Sequence, residues 1–445
     1  MGQFYRLMAI IGYAFRYSYV SLNLDSMMKK ILMCLAVLCL CTGAMAQLKP
    51  RPDAFPPVDE DWSTKAVSMA GTPEEMASWD RYPTYETYLA MMQRWAAEYP
   101  QICSVDTIGL SINGRLILSM HIEGGDADAV RPQFFYSSTI HGDEVTGYVM
   151  MLHLIDTLLS SYGTSEPLTD LVNSVAIYIN PLSNPDGTYY VSNATVQGSR
   201  RYNARGVDLN RNYPDPFGTT KEALQPENEA MIEYVSNHRF RMSANLHGGS
   251  EVMNYPWDSF TSLQNPHPES AWWQEVCRRF VDTARVYGPS HFRDVNTQGW
   301  IAGGDWYVIH GGRQDYMNYY HDCLELTMEL STQKTLSSNR LPEYWNFLAP
   351  SLINYIREVL TLPGSVDVPT VDAVQWVEVY PNPVATSLTV TGLTAGATVK
   401  VVDLTGRVVA TALSHGATAN VDVARLPAGI YLLKAEGRVA KFVKR

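Results

Sequence analysis

Residues 133–144 read Gln-Phe-Phe-Tyr-Ser-Ser-Thr-Ile-His-Gly-Asp-Glu. The stretch from Gln133 to Ile140 has the aromatic and β-branched content of a strand, and a helical pattern from Glu144 to Ser160 follows almost at once. A strand that feeds directly into a helix opens a parallel crossover unit. At the junction, His141 and Glu144 stand three apart at the mouth of the helix, so their side chains project to one side. That spacing can clamp a metal ion. An imidazole and a carboxylate suit zinc, whose catalytic sites take three protein ligands and leave a fourth position for water. Alone, the pair would equally serve as a helix cap or a surface feature.

Working outward, the alternation continues: strand Val175 to Asn180, helix Pro226 to Asn237, strand Arg241 to Leu246, helix Ala271 to Tyr287, strand Leu324 to Leu330 and a helix from Tyr344 to Leu360. On the N-terminal side, Thr84 to Glu98 has helical spacing. Two β-rich runs, Val105 to Leu110 and Leu116 to Ile122, flank Asn113-Gly114, a pair suited to a tight hairpin turn. The expected class is α/β: a mixed, largely parallel sheet with helices on both faces. Residues 361–375 read as a linker, and five short β-rich runs between 387 and 435 predict a small all-β sandwich over 376–445.

Composition narrows the function. The 445 residues carry a formal net charge of −11, against the basic surface that nucleic-acid binding needs. Met27-Met28-Lys29-Lys30, the apolar run Ile31 to Leu40 and Ala44-Met45-Ala46 form the three parts of a secretory signal peptide. It is assigned to 28–46, with the start at Met27 or Met28. Proline-rich residues 47–75 read as an extended leader, which leaves 76–360 for the first folded domain. Cys103, Cys277 and Cys323 follow the signal segment, an odd number that permits one disulfide at most.

The chemistry must come from side chains near strand ends, where ligands of such sheets bind. Ser243 to Leu246 ends in His247, with Gly248-Gly249 behind it, and so offers a third metal ligand; His310, followed by Gly311-Gly312, is its rival. Arg200-Arg201 and Asp208-Leu209-Asn210-Arg211-Asn212 can form a fork for a carboxylate. In the run 324–330, alternation sends Glu325, Thr327 and Glu329 to one face, so two carboxylates compete for the role of base.

Six motifs taken in order resemble the zinc carboxypeptidase family: His141 to Glu144, Asn184-Pro185-Asp186-Gly187, Gly206 to Asn212, Ala244 to Gly249, Gly311 to Tyr316 and Glu325 to Leu330. The resemblance covers about residues 76–360 and is nearest to the regulatory branch that includes carboxypeptidases D, E, M and N. It implies the zinc carboxypeptidase fold, with one Zn2+ on His141, Glu144 and His247 and with Glu329, not Glu325, as catalytic base. Arg201 would polarise the scissile carbonyl, while Asn210, Arg211 and Tyr307 would hold the substrate's C-terminal carboxylate. Asp258 beside Gln314 would receive a Lys or Arg side chain. Arg313 stands where Met is usual in the branch. Val379 to Val384, Asp403 to Arg407 and Leu426 to Leu432 resemble the sorting domain of type IX secretion in the Bacteroidetes.

The resemblance therefore implies a secreted or surface-attached metallocarboxypeptidase. Its partners would be peptide or protein C-termini and the type IX machinery, with no nucleic acid, and a monomer is expected. Two other readings stand beside it: a cell-wall peptide peptidase on the same fold, and an inactive relative that binds peptide ends.

Overall fold

The computed structural model describes residues 66–127, 129–218, 222–363, 378–403, 407–436 and 438–445. The signal segment, leader residues 47–65 and linker residues 364–375 lie outside these. The chain divides into two compact units, 1–363 and 364–445.

In the first unit, β1 (Met69–Ala70) pairs in parallel with β2 (Tyr82–Pro83). Residues 66–75, read in the sequence as the end of the leader, are thus built into this unit. Ser338 N–H donates to the Ala66 carbonyl at 2.9 Å, and Ala70 is fully buried. Tertiary partners supply what the short polar stretch could not announce. Next, α1 (Tyr85–Glu98) is capped by Thr84, whose hydroxyl accepts from the Thr87 N–H. It buries Tyr85, Tyr88, Met92 and Trp95 on one face. The hairpin of β3 (Cys103–Leu110) and β4 (Leu116–Ile122) turns at Gly114, where φ is 79°.

The remaining strands and longer helices are β5 (Gln133–Ser138), α2 (Thr146–Ser161), α3 (Glu166–Ser174), β6 (Ala176–Asn180), α4 (Pro226–Ser236), β7 (Phe240–His247), β8 (Ser250–Tyr255), α5 (Ser270–Tyr287), β9 (Trp300–Ala302), α6 (Arg313–Tyr320), β10 (Leu324–Ser331) and α7 (Leu341–Arg357). They complete an eight-stranded sheet of order β3-β4-β6-β5-β7-β10-β8-β9. Its centre, β6-β5-β7-β10, is parallel, whereas β3-β4, β4-β6 and β10-β8 are antiparallel. Two buried apolar clusters sandwich it. One joins Met242, Ala244, Leu246, Leu326, Met328 and Leu330 to side chains of α2, α5 and α7. The other sets Phe135 against Met231 and Tyr234 of α4 and Tyr316 of α6. Helices therefore cover both faces, as the alternation of elements requires.

The strand β8 was not legible in the sequence because Ser250, Glu251 and Asn254 interrupt its apolar pattern. Glu251 is buried yet satisfied by His291 at 2.9 Å, Tyr344 Oη at 3.0 Å and the Phe292 N–H at 3.0 Å. Cys103, Cys277 and Cys323 are all free and buried, so the disulfide that the count permitted does not form among them. Burial pushes the Cys103 thiol up to about 11. No described helix is long and apolar enough to cross a membrane.

The second unit has β11 (Glu378–Tyr380), β12 (Ser387–Thr391), β13 (Thr398–Val402), β14 (Val408–Leu413), β15 (Thr418–Asp422), β16 (Gly429–Ala435) and β17 (Arg438–Lys444). They form two antiparallel sheets, β11-β12-β15 and β14-β13-β16-β17, around a core that includes Leu388, Val390, Val399, Leu433 and Phe442. The expected sandwich is present, with an added strand at each end.

Candidate functional site

Because the apolar residues of β7 and β10 face one cluster, the alternate residues face the other way. In register, Glu325 lies beside Ser243, Thr327 beside Asn245, and Glu329 beside His247. The next strand, β5, aligns Ser137 with Asn245. A polar stripe therefore runs across the carboxyl ends of the parallel strands, and the loop after β5 delivers His141 and Glu144 to it.

His141, Glu144 and His247 come together as the one group of metal-ligand type among the described residues, with one ligand atom of each within 4.8 Å of the others. All three are buried. His141 Nδ1 is 2.9 Å from Glu144 Oε1, His247 Nδ1 is 2.8 Å from Glu144 Oε2, and the two Nδ1 atoms are 3.0 Å apart. His141 donates through Nε2 to Asp208 Oδ1 at 3.2 Å, while its Nδ1 accepts from Arg201 Nη1 at 3.2 Å. That tautomer places the unprotonated Nδ1 on the inside of the cluster, where a metal would take the lone pair that Arg201 Nη1 approaches. Burial works against a charged Glu144, yet the His141 and His247 rings hold its carboxyl well below the usual range. Two imidazoles and an ionised carboxylate, dry and convergent, fit zinc.

Around this centre, Arg201 is anchored by Asp208, with Nε and Nη2 at 3.0 and 2.8 Å from Oδ2, and its Nη1 lies 3.5 Å from Glu144 Oε1. The single-turn 3-10 helix Leu209–Arg211 follows Asp208. Asn210 is buried and accepts the Arg313 N–H at 3.0 Å. Arg211 and Tyr307 line a cavity of about 750 Å³ that also reaches Asp208 and Gly311. Asp258 and Gln314 are both buried and share a neighbour, Asn254. Gln314 Nε2 is 3.4 Å from Asn254 Oδ1, and the Asp258 and Asn254 carboxylate and amide oxygens fill the space where a Cβ at Gly303 would sit.

The two rivals left open by the sequence are accounted for. His310 lines the cavity but is half-exposed and pairs with Asp215 at 2.8 Å, outside the cluster. Glu325 is fully buried, accepts from Ser243 Oγ at 2.7 Å and pairs with Arg313 at 3.1 Å. Burial raises its carboxyl above the usual range, and Arg313 offsets this only in part. Sequence reasoning missed Asp208 as the partner of His141 and Arg201, Asn245 as the partner of His247, and Lys334, whose Nζ is 3.0 Å from Asp143 Oδ2 and 3.8 Å from Glu144 Oε1. The His141–Asp208 and Lys334–Asp143 contacts join distant segments that no local pattern marks, whereas Asn245 stands two residues before His247 on the same strand face, a spacing that strand alternation could have flagged.

Asp315 accepts the N–H groups of Asp258 and Ser259 at 2.8 and 2.9 Å. Burial, with the nearby Asp258 charge adding to it, pushes the Asp315 carboxyl up to about 7. Its ordinary value is 3.8, so between roughly pH 4 and 7 the native state binds more protons than the unfolded chain and stability falls as pH rises. Asp315→Asn is expected to abolish this fall. The check is the urea midpoint of both chains at pH 5 and pH 8, which should fall with rising pH for the native chain and stay level for Asp315→Asn.

Comparisons with known proteins give the family of the chain. A family model described as zinc carboxypeptidase matches residues 88–351, more than half of the chain, and one described as a secretion system C-terminal sorting domain matches residues 378–445. The chain belongs to the zinc carboxypeptidase family. Carboxypeptidase D of Anas platyrhynchos is 35% identical over 281 residues, covering 60% of this chain and 20% of that protein. Carboxypeptidase M of Mus musculus is 35% identical over 292 residues, covering 63% of this chain and 66% of that protein. The chain thus spans about one fifth of the length of the carboxypeptidase D relative. Among solved structures, carboxypeptidase A from Helicoverpa armigera superposes with a TM-score of 0.56 at 20% identity, over 66% of this chain and 77% of that one. At that identity the likeness is one of fold.

Proposed function

We propose that this chain is a zinc-dependent metallocarboxypeptidase that releases the C-terminal residue of peptides and proteins, preferring Lys and Arg. The observation that carries the reading is the convergence of His141, Glu144 and His247 with Glu329 in register beside His247. Zinc held by those three side chains would supply a Lewis acid that polarises a carbonyl and acidifies water. Glu329, buried at the end of β10, takes the proton from the attacking water and later gives it to the departing amine. Arg201, fixed by Asp208, donates to the oxygen on which negative charge develops. Asn210, Arg211 and Tyr307 grip the terminal carboxylate, which limits cleavage to the last peptide bond.

The side-chain preference is supported by Asp258, a buried carboxylate that has Asp315 and Gln314 as neighbours on α6. A cationic terminal side chain would meet acidic surroundings there. The same reading has 28–46 as a signal peptide, a catalytic domain that begins near residue 66 rather than 76 and runs to about 360, and 376–445 as the domain that hands the protein to the type IX machinery, for release or surface attachment.

The test is a panel of peptides differing only in the last residue, assayed with the native chain and with Asp258→Asn. Peptides ending in Lys or Arg should be cleaved fastest. The substitution should cost them on the order of 30-fold in kcat/KM, the equivalent of about 2 kcal/mol for one lost partner of a buried charge pair. Peptides ending in Leu should change little. Equal rates on Arg and Leu peptides would remove the pocket assignment, and cleavage of muropeptides alone would favour a cell-wall peptidase.

A further inference from the structure

Arg313 is the first residue of α6, and it is 1% exposed. The reaction scheme above does not use it. Its guanidinium pairs with Glu325, stacks with Cζ 5.0 Å from the Phe135 ring centroid, and donates through Nη1 to Ser137 Oγ. Ser137 Oγ lies 3.1 Å from Asn245 Oδ1, and Asn245 Nδ2 lies 2.9 Å from His247 Nε2. The opposite ring atom, His247 Nδ1, is the one that faces His141 and Glu144. A buried polar chain thus runs Glu325, Arg313, Ser137, Asn245, His247, and strand register explains its straight course. Ser137 and Asn245 are paired neighbours on β5 and β7, and His247 is two residues further along the same face.

Hydrogen-bond chemistry gives this chain a direction. A guanidinium only donates and keeps its charge at any accessible pH. A neutral imidazole that binds metal through Nδ1 carries its proton on Nε2 and needs an acceptor there. Asn245 provides one once its amide is turned over, which exchanges the oxygen and nitrogen positions without a change of shape and brings Oδ1 to the ring and Nδ2 to Ser137; the network decides that order. Ser137 Oγ then accepts from Asn245 Nδ2 and from Arg313, which uses both of its lone pairs. Separately, the Arg313 main-chain N–H holds Asn210.

We propose that Arg313 is a positioning residue: through Ser137 and Asn245 it sets the orientation in which His247 binds metal. This rests on the site being the zinc centre described above. A side chain that hydrogen-bonds a metal ligand is worth about 10- to 100-fold in metal affinity, and Arg313 reaches His247 from two hydrogen bonds further out than Asn245.

The experiment compares the full native chain with three variants: Ser137→Ala, the pair Arg313→Met with Glu325→Leu, and all three changes together. The paired change removes both charges, so neither is left buried alone. Zinc affinity is measured by competition with a chromogenic chelator on metal-free protein, with circular dichroism as the check on folding. Visible spectra of the cobalt-loaded proteins report ligand geometry. Ser137→Ala is expected to lower zinc affinity about 10-fold or more and to shift the cobalt bands. The triple variant should lose no more than the larger single effect, because all changes cut one chain. Folded variants with zinc affinity within about twofold of native and superimposable cobalt spectra would overturn the proposal, as would losses that multiply in the triple variant. A native chain that binds no zinc overturns both this and the metal-centre reading. Zinc binding without cleavage of any peptide sinks only the enzymatic reading, and the affinity comparison still decides this one.

Discussion

Glu329→Gln is expected to lower kcat for C-terminal release by about 10²- to 10⁴-fold, the range a positioned general base contributes, while zinc affinity stays unchanged. The amide keeps the shape of the carboxylate but cannot take a proton. Glu329 is 3% exposed and lies in register with His247 on the neighbouring strand, so it is close to the metal centre without being one of the three clustered ligands. Steady-state kinetics on a peptide ending in Arg, together with zinc titration, separate the two effects. A variant that keeps a third or more of native kcat would assign the base elsewhere. A variant that loses zinc as well would make Glu329 part of the metal site.

Removal of the metal should be as severe. Treatment with a zinc chelator is expected to abolish cleavage, and added zinc should restore it. In His247→Ala, zinc affinity should fall by more than about 100-fold, beyond the range for loss of a group that only hydrogen-bonds a ligand, and added zinc at ordinary concentrations should not restore activity. His310→Ala makes the contrast. Its ring pairs with Asp215 at the cavity rim and lies outside the cluster, so zinc affinity should be native. If instead His310→Ala lost the metal and His247→Ala kept it, the ligand set would be wrong.

Much of this architecture was legible because it depends on short-range periodicity. The run of leucines and methionine in 324–330 alternates with Glu325, Thr327 and Glu329, and the apolar half indeed enters the buried cluster while the polar half faces the site. The same holds for α1, whose cap at Thr84 and buried stripe follow from local sequence. The strand β8 was not legible, because burying Glu251 depends on His291 and Tyr344, partners that lie far along the chain.

The site divides in the same way. His141 and Glu144 share a side because they are three residues apart, and this much the sequence determined alone. It also determined that two strands ended in polar residues able to do chemistry, and that the order of motifs resembled one family. Local pattern could not choose between His247 and His310, or between Glu325 and Glu329. Tertiary structure brought His247 to Glu144, and it occupied Glu325 with Arg313 and His310 with Asp215. The physical reason is register: which carboxylate stands beside a histidine on the adjacent strand is set by backbone pairing between distant segments, and periodicity within one segment carries no record of it.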